Sequence, residues 1–220
     1  MGQTFYLKEV LLQVKDLAAV RRIFSEGFGL AETECTEGRA VFGLDGGVIL
    51  AFSEKEKSVL TLAADPAFGT DAVYVLPFGA DLSVSSGERP GNSVLKEITF
   101  GVSDVHTALA LTEDAGIPGG EITGPDASHG AMHCTYRIEN ADIDFIQPGS
   151  IDGEKDMMLM WLKAKGGDGI FTITLKISGT IEDAAAKLRS IGAVTPFVTP
   201  HAGLAQFKDA MDFGVKIVTF

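Results

Sequence analysis

Apolar and polar residues alternate along three well-separated stretches of the chain. In Lys8-Glu9-Val10-Leu11-Leu12-Gln13-Val14, the residues Val10, Leu12 and Val14 stand at every second position. Lys96-Glu97-Ile98-Thr99-Phe100-Gly101-Val102 repeats the register, and Thr172–Ile177 is a third copy. A period of two is that of a strand with one buried face. Helical spacing follows each strand. Leu17, Val20, Phe24 and Phe28 lie behind Asp16, and Val105, Ala108 and Leu109 behind Asp104 or Ser103. Ile181, Ala184, Ala185, Leu188 and Ile191 lie behind Thr180, with Gly192 as the stop. Short strands come next in every case: Glu32–Cys35, Ala40–Leu44 and Val48–Phe52; Gly120–Thr123, Ala131–Ile138 and Asp142–Gln147; Ala193–Thr199, Leu204–Lys208 and Val215–Phe220. The pattern predicts a β-α-β-β-β unit three times, over 1–53, 95–147 and 168–220.

Two segments fall outside the repeat. In 54–94 the strand-like stretches Val59–Ala63 and Ala72–Leu76 are broken by Pro66, Gly69, Pro77 and Gly79. It reads as an irregular connection, with a decayed fourth unit as the alternative. Segment 148–167 reads as a helical linker. Its Met157, Met158, Met160 and Trp161 either pack it onto a sheet or make it an adaptable lid.

Composition narrows the classes. The 220 residues carry 30 acids against 18 bases, a net charge of −12, and no cluster of Lys and Arg. A nucleic-acid partner needs a basic face, and an anionic membrane surface is disfavoured for the same reason. The longest apolar runs, such as Gly46–Phe52, fall well short of the roughly 20 residues of a membrane span. No export signal is evident. Two distant cysteines, Cys35 and Cys134, make no disulfide framework, so the cytoplasm is the expected compartment.

The opening strand Val10-Leu11-Leu12-Gln13-Val14-Lys15-Asp16 and the helix end Phe24-Ser25-Glu26-Gly27-Phe28-Gly29-Leu30, set in tandem β-α-β-β-β units, resemble the vicinal oxygen chelate superfamily. That group includes glyoxalase I, extradiol dioxygenases, methylmalonyl-CoA epimerase and bleomycin-resistance proteins. The resemblance implies an α+β fold of tandem βαβββ modules with curled mixed sheets, two modules pairing into a cup that holds a metal or a ligand. It places metal ligands at Glu9, Glu97 and Asp144. Ile49 then stands at the matching last-strand position of unit one, and unit three offers only Thr172 and Val218. The implied cofactor is a divalent metal (Mg, Mn, Fe, Zn or Ca), or none.

Strand parity supplies the remaining candidates. If Val10, Leu12 and Val14 face the helix, Glu9, Leu11 and Gln13 face the cup, joined by Ile49. The same parity puts Glu97 and Thr99 on the cup side of unit two, with Asp142, Asp144 and Ile146. His133 alternates with Cys134, and the sequence leaves open which of the two faces inward. Glu9, Glu97 and His133 are the acid–base candidates, and Leu11, Gln13, Ile49 and Thr99 the ligand-lining ones. A solvated strand start is the plain alternative for both glutamates. A carboxylate at Asp144, between Ile143 and Phe145, needs a partner or a metal if it is buried.

These expectations converge on a glyoxalase-like enzyme (lyase, isomerase or dioxygenase type) in a cup between modules one and two. It acts on a small oxygen-bearing organic molecule, with metal assistance or through a carboxylate base. The alternative is a metal-free binding protein that sequesters a small hydrophobic or aromatic compound. Unit three, left without a mate, should pair with an irregular partner in the same chain or with its copy in a homodimer, and the homodimer is the expectation.

Overall fold

The computed structural model describes residues 5–36, 38–64, 72–86, 94–127, 130–149 and 157–219. Unit one consists of β1 (Phe5–Gln13), α1 (Leu17–Arg22), β2 (Glu32–Thr36), β3 (Arg39–Gly43) and β4 (Ile49–Ser53). Asp16 caps α1, its Oδ1 accepting from the Ala19 N–H at 2.9 Å. The expected apolar stripe continues past α1 through a π turn, Ile23–Gly27, which buries Ile23 and Phe24. Unit two has β8 (Leu95–Gly101), α2 (Val105–Asp114), β9 (Glu121–Thr123), β10 (Met132–Ile138) and β11 (Ala141–Gln147). Unit three has β12 (Gly169–Ile177), α4 (Ile181–Ser190), β13 (Val194–Val198), β14 (Ala202–Gln206) and β15 (Gly214–Thr219). Thr180 caps α4 through Asp183 N–H at 3.1 Å, and Gly192 takes a φ of 101° just beyond it. That left-handed conformation is the glycine stop the sequence foretells.

Segment 54–94, expected as an irregular connection, instead contributes β5 (Ser58–Ala64), β6 (Ala72–Tyr74) and β7 (Ala80–Ser86). β5 runs parallel to β7 and β6 antiparallel to it, which is how the first, last and third strands of a unit are arranged. These three strands follow the pattern of the decayed fourth unit that the sequence offers as the alternative. Its β7 alternates buried Ala80, Leu82 and Val84 with Asp81 and Ser83, so the period of two was there beneath a serine-rich, loop-like composition.

The strands form two mixed sheets. The first has the order β2-β3-β4-β1-β5-β7-β6 and the second β13-β14-β15-β12-β8-β11-β10-β9. Unit one is thus paired with the decayed unit through β1 and β5, and unit two with unit three through β8 and β12. The expected cup between units one and two does not form, because β1 already has β4 and β5 as neighbours and β8 has β11 and β12. Unit three thus finds its mate within the chain, in unit two.

The helix-side faces of both sheets share one core. Val10, Leu12, Leu60, Leu62 and Leu82 of the first belong to the same buried cluster as Ile98, Phe100, Ile143, Phe145 and Ile173 of the second. Phe78 meets Phe145 edge-on at 5.3 Å between ring centres. Asn140, in the turn between β10 and β11, stitches the sheets together. Its Oδ1 accepts from Leu7 N–H and its Nδ2 donates to Leu7 C=O, each at 2.8 Å. Both partners are buried, at the bulge that interrupts the β1–β5 ladder. Asn140→Ala strands both backbone groups, and an unmet buried pair costs about 2–4 kcal/mol. Urea unfolding should show that loss at unchanged m, whereas a loss below about 0.5 kcal/mol would make the bridge dispensable.

Candidate functional site

Because the helix-side faces meet in one core, the opposite faces of the two sheets lie on its far sides. On the first sheet that face carries a small separate apolar cluster, Leu11, Val41 and Ala51, with Ile49 and Val59 packed against it. Glu9 is ion-paired there with Arg39 of β3. Gln13 is exposed on the same face. On the second sheet the far face carries Glu97, Thr99, His133 and Asp144. The predicted parity holds: Val10 and Leu12 enter the shared core and Leu11 does not, while Ile143 and Phe145 enter it and Asp144 does not. Cys134 and Tyr136 are in the core as well, which settles the open question on β10 by turning His133 to the far face. The eight candidate residues are thereby split, with Glu9, Leu11, Gln13 and Ile49 on one sheet and Glu97, Thr99, His133 and Asp144 on the other.

The far face of the second sheet is a grid of directly opposed residues. One row across five strands reads Arg137, Asp142, Glu97, Thr174, Lys216. The next reads Thr135, Asp144, Thr99, Thr172, Gly214. A third row brings His133 opposite Ile146, which is paired with Gly101. Glu97 Oε1 accepts from Thr99 Oγ1 at 2.7 Å, and Lys216 Nζ stands 3.9 Å from the same oxygen. Among the described residues Oε2 carries no hydrogen bond. Asp144, 8% exposed, accepts from Thr135 Oγ1 at 2.8 Å and faces His133 Nδ1 at 3.1 Å, which supplies the partner its burial requires. The other ring nitrogen, Nε2, is 3.7 Å from Asp126 Oδ2.

Electrostatics sort these groups. The hydrogen bond to Asp144 raises the His133 pKa above its ordinary value against the opposing pull of burial, and the charges of Asp144 and Asp126 add to the rise. Asp142 is pushed upward by burial and then by the adjacent Glu97 charge, with Arg137 opposing. Cys134 is driven to about 11 by burial, so its thiol is not a nucleophile at neutral pH. Thr174 is 3% exposed, and among the described residues its Oγ1 has no hydrogen-bond partner. A buried hydroxyl left in that state costs about 1–3 kcal/mol.

The donor set does not fit a divalent metal. Glu9 stands on the other sheet, Glu97 is already served by Thr99 and Lys216, and Asp144 by Thr135 and His133. Among the described residues no three His, Cys, Asp or Glu side chains gather to hold a cation. The ladder also corrects one equivalence: Glu9 pairs with Ile49 as Glu97 pairs with Asp142, so the unit-one counterpart of Asp144 is Ala51. In unit three the corresponding pair is Thr174 and Lys216, and the match to Val218 was out by one turn of the pleat. Lys216 alternates with the buried Val215 and Ile217, and that polar position was the available signal for it.

The described part of the linker, α3 (Met157–Lys165), lies over one end of this face. A Cβ built on Gly101 would come within 3.0 Å of the Trp161 ring, so glycine is what lets the helix seat so closely. Trp161 Nε1 donates to Asp212 C=O at 2.7 Å. His129, in the Gly124–Gly130 loop that the sequence offers as a rim, lies outside the described residues.

His133 should titrate above its ordinary value of about 6.5, and Asp144→Asn should bring it down. The folded state binds this proton more tightly than the unfolded chain. Its stabilising effect is therefore full below the unfolded value and fades as pH rises through the folded one. Proton NMR of the imidazole with denaturation at low and high pH reads both effects, and a His133 titration indifferent to Asp144→Asn would refute the assignment.

No protein-family model and no curated protein sequence matches the chain. Among solved structures it superposes on BphC, a halotolerant catechol dioxygenase, with a TM-score of 0.62 over 100% of this chain and 87% of that one, at 15% identity. A mutant 4-hydroxymandelate synthase from Streptomyces coelicolor gives 0.58, covering 99% of this chain and 93% of the other at 10% identity. At such identities the likeness is one of fold. With its tandem units and two mixed sheets, the chain has a glyoxalase-like βαβββ fold.

Proposed function

We propose that this protein is a metal-independent isomerase or lyase that moves a proton on carbon next to a carbonyl, working on the far face of the second sheet. Glu97 is the base. Its Oε1 is fixed by the Thr99 hydroxyl, with Lys216 Nζ 3.9 Å away, and Oε2 is left to take the proton. The C–H bond breaks, its electron pair passes into the carbonyl to form an enolate, and the neutral Glu97 returns the proton to the same or a neighbouring carbon. His133, made more basic by Asp144, stands two rows away, where its ring can hydrogen-bond a polar end of the substrate. The observation that carries this reading is the row itself: a positioned carboxylate, a buried hydroxyl without a partner among the described residues, and an ammonium side by side on one face. Asp142, whose pKa burial raises, borders the base on its other side.

A second reading rests on the first sheet. Leu11, Val41 and Ala51, with Ile49 and Val59, suit a small hydrophobic or aromatic compound that is held and not converted, with the Glu9–Arg39 pair at its edge.

Exchange of carbon-bound protons with D2O separates the two. A panel of small 2-oxo acids and hydroxyketones should contain a member whose α-proton exchanges faster with the protein present. Glu97→Gln should slow that exchange by about a hundredfold or more, as expected for loss of a general base, with Glu9→Gln near wild type. An absence of exchange across the panel, or exchange untouched by Glu97→Gln, would leave the binding reading.

A further inference from the structure

We infer that Thr174 and Lys216 form an oxyanion site: they receive the substrate's carbonyl oxygen and hold the negative charge that develops on it. The inference rests on the reading of Glu97 as base and extends it to the substrate class, a compound with a carbonyl oxygen beside an acidic C–H. Thr174 lies directly across the ladder from Glu97, and Lys216 directly beyond Thr174. All three side chains share one face. Thr174 is 3% exposed, and its hydroxyl has no partner among the described residues, so it has a proton to donate. Lys216 Nζ, at 3.9 Å from Glu97 Oε1, is near enough to feel the carboxylate and too far to spend a hydrogen bond on it. Its donors stay available.

The charge bookkeeping of the step fits this arrangement. Before reaction, the Lys216 ammonium is balanced by the Glu97 carboxylate. When Glu97 takes the proton it becomes neutral, and the same negative charge reappears on the enolate oxygen one residue along the row. Lys216 keeps a counter-ion throughout, and the row keeps its net charge. Preorganised donors of this kind favour the enolate over the ketone, because a full negative charge accepts their hydrogen bonds more strongly than a carbonyl dipole does. Unit two places Thr99 and Asp144 where unit three places Thr174 and Lys216, so one repeat brings acid to the face and its partner brings the cation.

The test uses 4-nitrophenolate, a planar oxyanion whose visible absorption changes when its oxygen leaves water. It should bind the intact chain saturably with a spectral shift. Lys216→Met and Thr174→Val should each weaken binding about tenfold, the usual effect of losing one hydrogen bond to a charged group. Thr174→Ser should restore it to within about twofold, since the hydroxyl returns, and thermal melting checks that every variant is folded. Glu97→Gln removes a competing carboxylate and should leave binding equal or tighter. Binding that does not saturate, or that ignores both Lys216→Met and Thr174→Val, overturns the inference. The two failures separate cleanly: D2O exchange that depends on Glu97 without these binding effects removes only the oxyanion site, whereas the binding effects without exchange remove only the proposed reaction.

Discussion

The antiparallel pairing of β8 with β12 is the contact on which the proposed site depends. It joins two repeats edge to edge and sets Glu97 against Thr174 and Thr99 against Thr172. Each parallel neighbour, β11 on one side and β15 on the other, then adds its own row member: Asp142 and Asp144 from unit two, Gly214 and Lys216 from unit three. A slip of one residue at this seam would send every one of those side chains to the opposite face. Two bulges in the ladder, between Ile170 and Thr172 and between Thr174 and Leu175, localise the register there.

The rest of the molecule supports that seam from behind. The helix-side faces of both sheets close on one core, which stiffens the second sheet without using its far face. The decayed unit gives the first sheet the mate it needs, and Phe78 and Ala80 carry its apolar surface toward Phe145. The first sheet acts as a scaffold whose own far face carries a small apolar cluster. The acid-rich face of the second sheet and the apolar face of the first are the two outlets of one architecture, which is why fold alone does not choose between catalysis and binding.

Much of this was legible in the sequence because it is local. The period of two at Val10, Leu12 and Val14 and at Ile98, Phe100 and Val102 gave both the strands and their inward faces, and the caps at Asp16 and Thr180 fixed helix starts. Partner choice was not legible. Nothing local to Glu9 and Glu97 says that their strands belong to different sheets, since the matching of one repeat to another is a contest among edges decided by the whole chain. His133 could not be oriented for a related reason: Cys134 and Tyr136 are as plausible a surface pair as His133 and Thr135 until the core claims one set. Thr174 and Lys216 were missed because a threonine and a lysine carry no motif. Their meaning comes from standing beside a carboxylate contributed from about 75 to 120 residues earlier in the chain, a separation far beyond the short windows that pattern reading uses.

The most direct test of the account is a pair of double-cysteine variants. Glu97→Cys with Thr174→Cys places two thiols at directly opposed ladder positions, within the Cα separation a disulfide tolerates. Mild oxidation followed by peptide mass mapping should show that bridge formed within one chain, while Glu9→Cys with Glu97→Cys stays reduced under the same conditions. A bridge between positions 9 and 97, with none between 97 and 174, would contradict the pairing on which the site is built.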